Sequence, residues 1–234
     1  MHDRLREFPD ATAMVSSLSD EIVARLNAAI AEHGRASMAV SGGTTPGALF
    51  DALAERDAPW DKVWITLSDE RWIAPDQNGS NEHLARSRLL RGKAAAAHFV
   101  GLKNEAPTPD AGTSKTEAAI AVFPRPFDVM LLGMGDDGHT ASLYPHAPEL
   151  KAALDTKAAA LVHAVHAQNA AATGDRMTLT LRALLDSRWI VLLIKGAEKM
   201  QTYRAAEAEG DIAQMPVRAI LSQSAVPVDV YWAP

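Results

Sequence analysis

Short apolar runs alternate with longer amphipathic segments along almost the whole chain. The runs are rich in Val, Ile, Leu and Met and show little polar alternation, which is typical of strands buried on both faces of a parallel sheet. The alternation therefore predicts a three-layer α/β fold, with a mostly parallel, Rossmann-like sheet and helices on both faces. The predicted strands cover residues 37–40, 62–67, 98–101, 127–132, 161–164, 188–194 and 228–232.

The first predicted helix shows the clearest periodicity. Asp10 is a typical N-cap residue, and apolar residues recur every three or four positions from there to about His33. These residues are Met14, Leu18, Ile22, Leu26 and Ile30. Further helices are predicted over 46–55, 81–90 and 197–209, and a surface loop over 104–109. No repeat or interdomain linker is evident, so a single domain over residues 1–234 is expected.

The composition restricts the classes of partner. The net charge of -6 leaves no global basic surface for nucleic acid or an anionic membrane, so an anionic substrate would need local cations and backbone amides. Cysteine is absent, which excludes disulfides and thiolate chemistry. The first nine residues are charged where a signal peptide would be apolar, so a cytoplasmic location is expected. The oligomeric state stays open between a monomer and a weak dimer.

The loop after the first predicted strand suits a phosphate group. It contains Ser41, Gly42, Gly43, Thr44 and Thr45, and the next residue is a proline that can open a helix. Glycines allow a close approach of the backbone to a ligand, and hydroxyls and helix-start amides donate hydrogen bonds to an anion. A simple glycine-rich turn would show the same residues, and this loop alone does not distinguish the two interpretations.

A charged run, Asp69-Glu70-Arg71, follows the second predicted strand. The guanidinium of Arg71 is suited to hold a carboxylate, a phosphate or a developing oxyanion. The alternative is that Asp69 or Glu70 pairs with Arg71 and only solvates the edge of the sheet.

The loop after the fourth predicted strand is the strongest candidate for catalysis. Residues 133–140 contain three glycines together with Asp137 and His139, which implies an unusual backbone path beside a ligand. Asp137 could orient the His139 ring and leave its other nitrogen free to accept a proton. A metal site is disfavoured because His146, His163 and His166 do not have a matching ligand spacing.

Two further cations follow later loops or strands. Arg176 comes after the turn at 173–175, and Lys195 directly follows the apolar run 189–194. A cation at the carboxyl end of a buried strand can contact a phosphate group. Each residue is otherwise an ordinary surface cation.

Taken together, these segments resemble the 6-phosphogluconolactonase family. The matching pieces are Ser41–Pro46, 68–72 with Ser80-Asn81, 133–145, 176–180 and Lys195-Gly196, and they occur in the family's order over most of the chain. The resemblance implies the fold of glucosamine-6-phosphate deaminases, hydrolysis of 6-phospho-D-glucono-1,5-lactone to 6-phosphogluconate in the pentose phosphate pathway, and no cofactor or metal. The chain departs from the family pattern at Asp136, where proline is expected.

The mechanism expected for a lactone assigns a role to each candidate. Such an ester needs an activated water, a stabilised oxyanion and a protonated leaving oxygen. His139 is expected to be the general base, oriented by Asp137, with Arg71 near the oxyanion or the phosphate. Asp69 is a second acid–base candidate or a partner for Arg71. The phosphate is expected on residues 41–45 with Arg176 and Lys195.

Two other functions fit part of the pattern. An amino-sugar deaminase or aldose–ketose isomerase would share the phosphate loop and the histidine loop. A deaminase would also be expected to carry a glutamate soon after the histidine, whereas no acidic residue follows His139 before Glu149. A sugar-phosphate sensor would bind without turnover. It would usually carry a helix-turn-helix segment, and the region before residue 37 predicts only one long helix.

Overall fold

The structure is a computed structural model, which describes residues 4–167 and 173–234. The first three residues of the charged N-terminal segment lie outside the described residues. Within the described ranges, seven strands form one sheet in which all neighbouring strands are parallel. In spatial order they are β1 (Leu5–Glu7), β10 (Val228–Ala233), β9 (Ile190–Lys195), β6 (Val129–Leu132), β2 (Ala36–Val40), β3 (Val63–Leu67) and β5 (His98–Phe99).

A second, antiparallel sheet stands beside the carboxyl edge of the first. In the part of the chain that the structure describes, it contains three strands, in the order β4 (Asp69–Arg71), β8 (Asp175–Leu179) and β7 (Val162–His166). The predicted strand 161–164 therefore exists, but it does not belong to the parallel sheet. The charged run at 69–71, expected as a loop, is also a strand, because its backbone pairs with β8 although its side chains carry no apolar pattern.

Helices connect most of the parallel strands. Their bounds are α1 (Ala11–His33), α2 (Gly47–Ala54), α3 (Asn81–Arg88), α4 (Pro109–Ala121), α5 (Leu150–Ala153), α6 (Leu181–Leu185), α7 (Ala197–Glu207) and α8 (Arg218–Leu221), with 3-10 turns at Trp60–Lys62 and Gly92–Ala96. The predicted class, a three-layer α/β fold with a mostly parallel sheet, is confirmed. None of the described helices is long and apolar enough to cross a bilayer.

Helix α1 forms as its sequence predicts. The Asp10 carboxylate accepts a hydrogen bond from the amide of Ala13 at 2.8 Å, and Gly34 ends the helix with φ of 77°. The apolar stripe faces the core, where Met14, Leu18, Ile22 and Leu26 are buried. Ile30 is only partly buried, and Ala29 is buried one position earlier.

The other predicted helices differ from the observed ones by a few residues at their ends. Helix α3 begins after Ser80, whose hydroxyl accepts a hydrogen bond from the amide of His83 at 3.1 Å. Helix α4 was not predicted, because its sequence is small and polar and has no clear apolar stripe. It begins with Thr108 as the capping residue and Pro109 in the first turn. Strand β1 is too short to leave an apolar pattern.

The strand order places four loops at one edge of the sheet. β2 lies in the interior of the sheet between β3 and β6, and β9 lies on the far side of β6. Because all four strands run in the same direction, the loops at their carboxyl ends meet at one edge. β3 is added on one side of β2, and the later strands β6 and β9 are added on the other side. In folds of this kind, ligands bind at the point where the strand order reverses.

Candidate active site

A cavity of about 290 Å³ opens at this edge of the parallel sheet. Its wall combines glycines, hydroxyls, charged side chains and a few apolar groups. The lining residues are Ser41, Gly42, Gly43, Thr44, Thr45, Pro46, Asp69, Arg71, Asn81, Gly133, Met134, Gly135, Asp136, His139, Ala141, Tyr144, Arg176, Leu193, Ile194 and Lys199. The cavity therefore brings together residues from the loops after β2 and β6, the small antiparallel sheet and the first turns of α3 and α7.

The glycine-rich loop after β2 forms one side of the cavity. All five predicted residues from Ser41 to Thr45 line it, and Gly43 has φ of 96°, which favours glycine. Gly42 packs against Asn81, because a Cβ atom added there would lie 1.8 Å from the Asn81 Oδ1 atom. The loop leads into α2, whose first amides lack partners within the helix. This geometry can bind an anion such as a phosphate.

The His139 ring lies on the cavity wall and is held by Asp137 behind it. The Nδ1 atom of His139 is 2.6 Å from Asp137 Oδ1, and the backbone amide of His139 donates to the same oxygen at 3.0 Å. Because a carboxylate accepts hydrogen bonds, Nδ1 carries the proton and Nε2 is the acceptor. Burial acts to raise the pKa of Asp137, but the hydrogen bonds from His139 outweigh it and hold that pKa below its ordinary value. An imidazole oriented in this way can serve as a general base.

Asp69 and Arg176 are buried together on another side of the cavity. The carboxylate of Asp69 accepts hydrogen bonds from the hydroxyls of Ser142 at 2.6 Å and Ser68 at 3.2 Å. Arg176 Nη1 lies 4.0 Å from Asp69 Oδ2, and the Arg176 residue is only 2 % exposed. Burial lowers the pKa of Arg176, while the nearby Tyr144 and Asp69 act in the opposite direction. Arg176 is therefore not the ordinary surface cation that its sequence context allowed.

Arg71 lies directly opposite Arg176 in the register of β4 and β8. Its Nη1 atom donates to the carbonyl of Gly79. Among the described residues its Nε atom is buried and has no hydrogen-bond partner. Two guanidinium groups at adjacent positions favour an anion beside them.

Glu70 does not pair with the Arg71 guanidinium. Its buried carboxylate accepts hydrogen bonds from the amides of Arg71 and Asn81, both at 2.7 Å, from the Glu82 amide at 2.8 Å and from the Ser80 hydroxyl at 2.9 Å. Burial raises the pKa of Glu70, and these hydrogen bonds oppose the rise. The carboxylate thus joins β4 to the start of α3 and fixes the backbone that carries Arg71 and Asn81.

The structure places Lys195 outside the cavity lining and Lys199 within it. Strand β9 runs one residue further than predicted, so Lys195 pairs with Ala233 inside the sheet and its side chain is exposed. Lys199 stands in the first turn of α7, and its Nζ atom lies 2.6 Å from Asp136 Oδ1. The cation of this region that lines the cavity is therefore Lys199, four residues after the predicted one.

Several lining residues had no predicted role, among them Asn81, Tyr144 and Lys199. Asn81 and Tyr144 belong to the segments that carried the family resemblance, which was the signal available for them. Lys199 follows Gly196 at the start of a predicted helix, where a side chain can point back to the strand-end loops. Its position relative to the end of β9 could not be fixed from the apolar run alone.

The remaining histidines do not form a metal site within the described residues. No group of three or more His, Asp and Glu side chains in residues 4–167 and 173–234 is arranged to hold a metal ion. His166 instead lies between two carboxylates, with Nδ1 2.8 Å from Asp175 and Nε2 2.9 Å from Asp110.

Comparison with known proteins gives close matches over the full length. The chain is 42 % identical over 234 residues to a 6-phosphogluconolactonase of Rhizobium meliloti, covering 100 % of both chains. It is 39 % identical to a 6-phosphogluconolactonase of Pseudomonas putida over 99 % of this chain and 93 % of the relative.

Solved structures share the fold of this chain. A 6-phosphogluconolactonase structure from Shewanella baltica is 42 % identical and superposes with a TM-score of 0.95, covering 98 % of this chain and 97 % of that one. A monomeric glucosamine-6-phosphate deaminase, at 17 % identity and a TM-score of 0.77 over 97 % and 96 % of the two chains, shares the fold. The sequence profile described as glucosamine-6-phosphate isomerases/6-phosphogluconolactonase matches residues 9–232. The chain belongs to this family.

Proposed function

We propose that this protein hydrolyses 6-phospho-D-glucono-1,5-lactone to 6-phospho-D-gluconate, a carboxylic ester hydrolysis of the pentose phosphate pathway. The observation that carries the proposal is the Asp137–His139 pair, which faces a cavity that also contains a phosphate-type loop and three cations. Relatives that are about 40 % identical over nearly the whole chain are named as lactonases of this kind. We expect a cytoplasmic enzyme that needs no cofactor.

The reaction begins with the water that attacks the lactone. His139 Nε2 accepts a proton from this water as its oxygen bonds to the carbonyl carbon, and the carbonyl oxygen becomes an oxyanion. When the tetrahedral intermediate collapses, the bond from that carbon to the ring oxygen breaks. The proton held by His139 then passes to the leaving oxygen, which completes the ring opening. Asp137, ionised beside the ring, stabilises the imidazolium between these two steps.

The phosphate group of the substrate is assigned to the loop from Ser41 to Thr45. Lys199 and Arg176 line the same cavity and supply positive charge, and Lys199 takes the role expected for Lys195. Binding of a phosphate that does not react can hold the lactone carbon against the water, and this raises the rate. Arg71 faces the same cavity and supports either the oxyanion or the phosphate.

Asp69 is assigned to orienting Arg176 rather than to proton transfer. Its carboxylate lies 4.0 Å from the Arg176 guanidinium and accepts two hydroxyl hydrogen bonds. A carboxylate that already accepts these hydrogen bonds and lies beside a guanidinium is a poor proton acceptor. Among the described residues, no hydrogen bond or ion pair joins Asp69 to Arg71. This argues against the alternative that Asp69 is the partner of Arg71.

The test is a proton-release assay with freshly prepared 6-phosphogluconolactone, corrected for spontaneous opening of the ring. Wild-type protein should turn over the lactone, and His139→Asn should lose about 10²–10⁴-fold in rate. A wild-type rate no higher than the background would overturn the proposed function. Full activity in His139→Asn would overturn only the assignment of the base.

The deaminase alternative lacks an acidic residue shortly after the histidine. The first acidic residue after His139 is Glu149, which precedes α5 and does not line the cavity. Ammonia release from glucosamine 6-phosphate should therefore stay at background. A sensor would bind 6-phosphogluconate without turning over the lactone, so the same preparations distinguish it from an enzyme.

A further inference from the structure

Tyr144 contacts the proposed base and a buried cation with the same aromatic ring. The centroids of the Tyr144 and His139 rings are 4.3 Å apart, with 35° between their planes. The guanidinium carbon of Arg176 lies 5.4 Å from the Tyr144 centroid. The His139 ring is thus held at Nδ1 by Asp137 and on its face by Tyr144, which together restrict its orientation.

The hydroxyl of Tyr144 is available to a ligand. Tyr144 is half-buried and lines the cavity, and among the residues that the structure describes its hydroxyl has no hydrogen-bond partner. Burial raises the pKa of Tyr144, with smaller effects from the charges of Arg176, Asp69 and Arg71. The phenol is therefore uncharged at neutral pH and can both donate and accept a hydrogen bond.

The other two tyrosines differ from Tyr144 in their surroundings. Tyr203 is buried and donates its hydroxyl hydrogen to Glu207. Tyr231 has a buried hydroxyl that finds no partner within residues 4–167 and 173–234, and it does not line the cavity. Of these three tyrosines, all within the described residues, Tyr144 alone both lines the cavity and contacts His139.

A sugar lactone presents chemistry that matches this hydroxyl. Besides its phosphate and carbonyl, such a substrate carries neutral hydroxyl groups on its ring, and each needs a partner when it leaves water. The cations of the cavity suit the charged parts of the substrate. An uncharged phenol suits a neutral hydroxyl.

We propose that Tyr144 positions both partners of the reaction: its ring fixes the imidazole of His139, and its hydroxyl forms a hydrogen bond with a ring hydroxyl of the sugar lactone. This inference rests on the proposed lactonase function. It extends that function by naming the group that recognises the neutral part of the substrate.

Two substitutions separate the two contributions. Tyr144→Phe removes only the hydroxyl. Loss of one neutral hydrogen bond, made equally in the ground state and the transition state, should raise KM about 2- to 10-fold and leave kcat close to wild type. Tyr144→Leu also removes the ring. Because the imidazole of His139 is then less constrained, kcat should fall about 2- to 10-fold below that of Tyr144→Phe.

The experiment measures kcat and KM on fresh 6-phosphogluconolactone for wild type, Tyr144→Phe, Tyr144→Leu and Tyr231→Phe, with melting temperatures for all four. Tyr231→Phe is the matched control, because it removes a buried tyrosine hydroxyl that has no partner among the described residues. It should behave as wild type. A purely structural role for Tyr144 would lower the melting temperature and the active fraction without raising KM.

Binding of 6-phosphogluconate, measured by calorimetry, keeps this inference distinct from the proposed function. The product retains the ring-derived hydroxyls, so Tyr144→Phe should weaken its binding about 2- to 10-fold. An unchanged KM and an unchanged product affinity in Tyr144→Phe would overturn the role of the hydroxyl. Equal kcat values for Tyr144→Phe and Tyr144→Leu would overturn the role of the ring. Weaker product binding by Tyr144→Phe beside a wild type without turnover would overturn the lactonase function and retain the hydroxyl contact.

Discussion

Gly135 approaches the Asp137–His139 pair so closely that one added methyl group should displace it. A Cβ atom at residue 135 would lie 2.1 Å from His139 Nδ1 and 2.6 Å from Asp137 Oδ1. Since Cβ contacts under 3.0 Å are essentially never found, the ring must retreat by about 1 Å. The φ angle of Gly135 lies outside the left-handed region, so alanine adds contact there without backbone strain.

The size of the effect follows from this displacement. A misplacement of about 1 Å at a reacting group can cost about 10²-fold in rate. We therefore expect Gly135→Ala to lower kcat about 10²-fold in the proton-release assay, within the range of about 10²–10⁴-fold for loss of a general base. KM should change little, because the phosphate-type loop follows β2 rather than β6. Overpacking should cost about 1–3 kcal/mol of stability, which is checked by chemical denaturation.

Gly133→Ala is the matched comparison in the same loop. The nearest atom to a Cβ at residue 133 is Ser41 Oγ at 3.7 Å, an ordinary van der Waals contact. This variant should lose far less activity than Gly135→Ala. A folded Gly135→Ala protein with wild-type kcat would refute the role of the pair. Equal losses in both variants would instead show that the loop, and not the displaced imidazole, limits the rate.

Three further predictions address other charged groups. Lys199→Ala should raise KM for the lactone about 10-fold or more through loss of a charged hydrogen bond, whereas Lys195→Ala should leave KM unchanged. Glu70→Gln should reduce stability by about 1–3 kcal/mol, measured in urea, because its amide nitrogen would face N–H donors that need an acceptor. Hydrogen bonding to Asp175 raises the pKa of His166, against burial and with a further contribution from Asp110. The stabilisation by this group should therefore be complete below the ordinary histidine pKa of about 6.5 and lost as pH rises through the raised value. His166→Asn should accordingly cost more stability at low pH than at high pH. The difference should be less than about 1 kcal/mol because the side chain is partly exposed. An equal loss of stability at low and at high pH would contradict the ion pairs of His166 with Asp175 and Asp110.

The main sheet could be predicted because its strands are buried on both faces. Strands such as β6 and β9 consist almost entirely of apolar residues, so their positions are visible in the sequence without knowledge of their neighbours. Strand β4 contains only Asp, Glu and Arg, and it is a strand because β8 supplies its backbone partners. Pairing between segments about 100 residues apart leaves no local pattern, so the second sheet could not be predicted in this way.

The candidate site was predictable to the extent that its residues follow parallel strands. The loops with Ser41–Thr45 and His139 meet in the cavity because the strands before them are parallel neighbours. Lys195, predicted to contact the phosphate, is not among the described residues that line the cavity. One more residue of pairing in β9 keeps its backbone inside the sheet, while Lys199 lines the cavity from the next helix. A shift of one residue reverses the face of a strand side chain, so approximate strand ends do not assign such cations.

The net charge of -6 excludes a global basic surface, but it does not decide whether the cavity can bind an anion. Charges in water are screened over about 8 Å at physiological ionic strength, so distant acidic residues contribute little inside the site. Among the described residues, the cations that line the cavity are Arg71, Arg176 and Lys199, and Arg71 and Arg176 are register partners in β4 and β8. Two carboxylates also line the described part of the cavity: Asp69 accepts hydrogen bonds from hydroxyls and lies beside Arg176, and Asp136 lies beside Lys199. A phosphate or a developing oxyanion is thus favoured locally, although the net charge of the protein is negative. This is the electrostatic arrangement that a small anionic substrate requires.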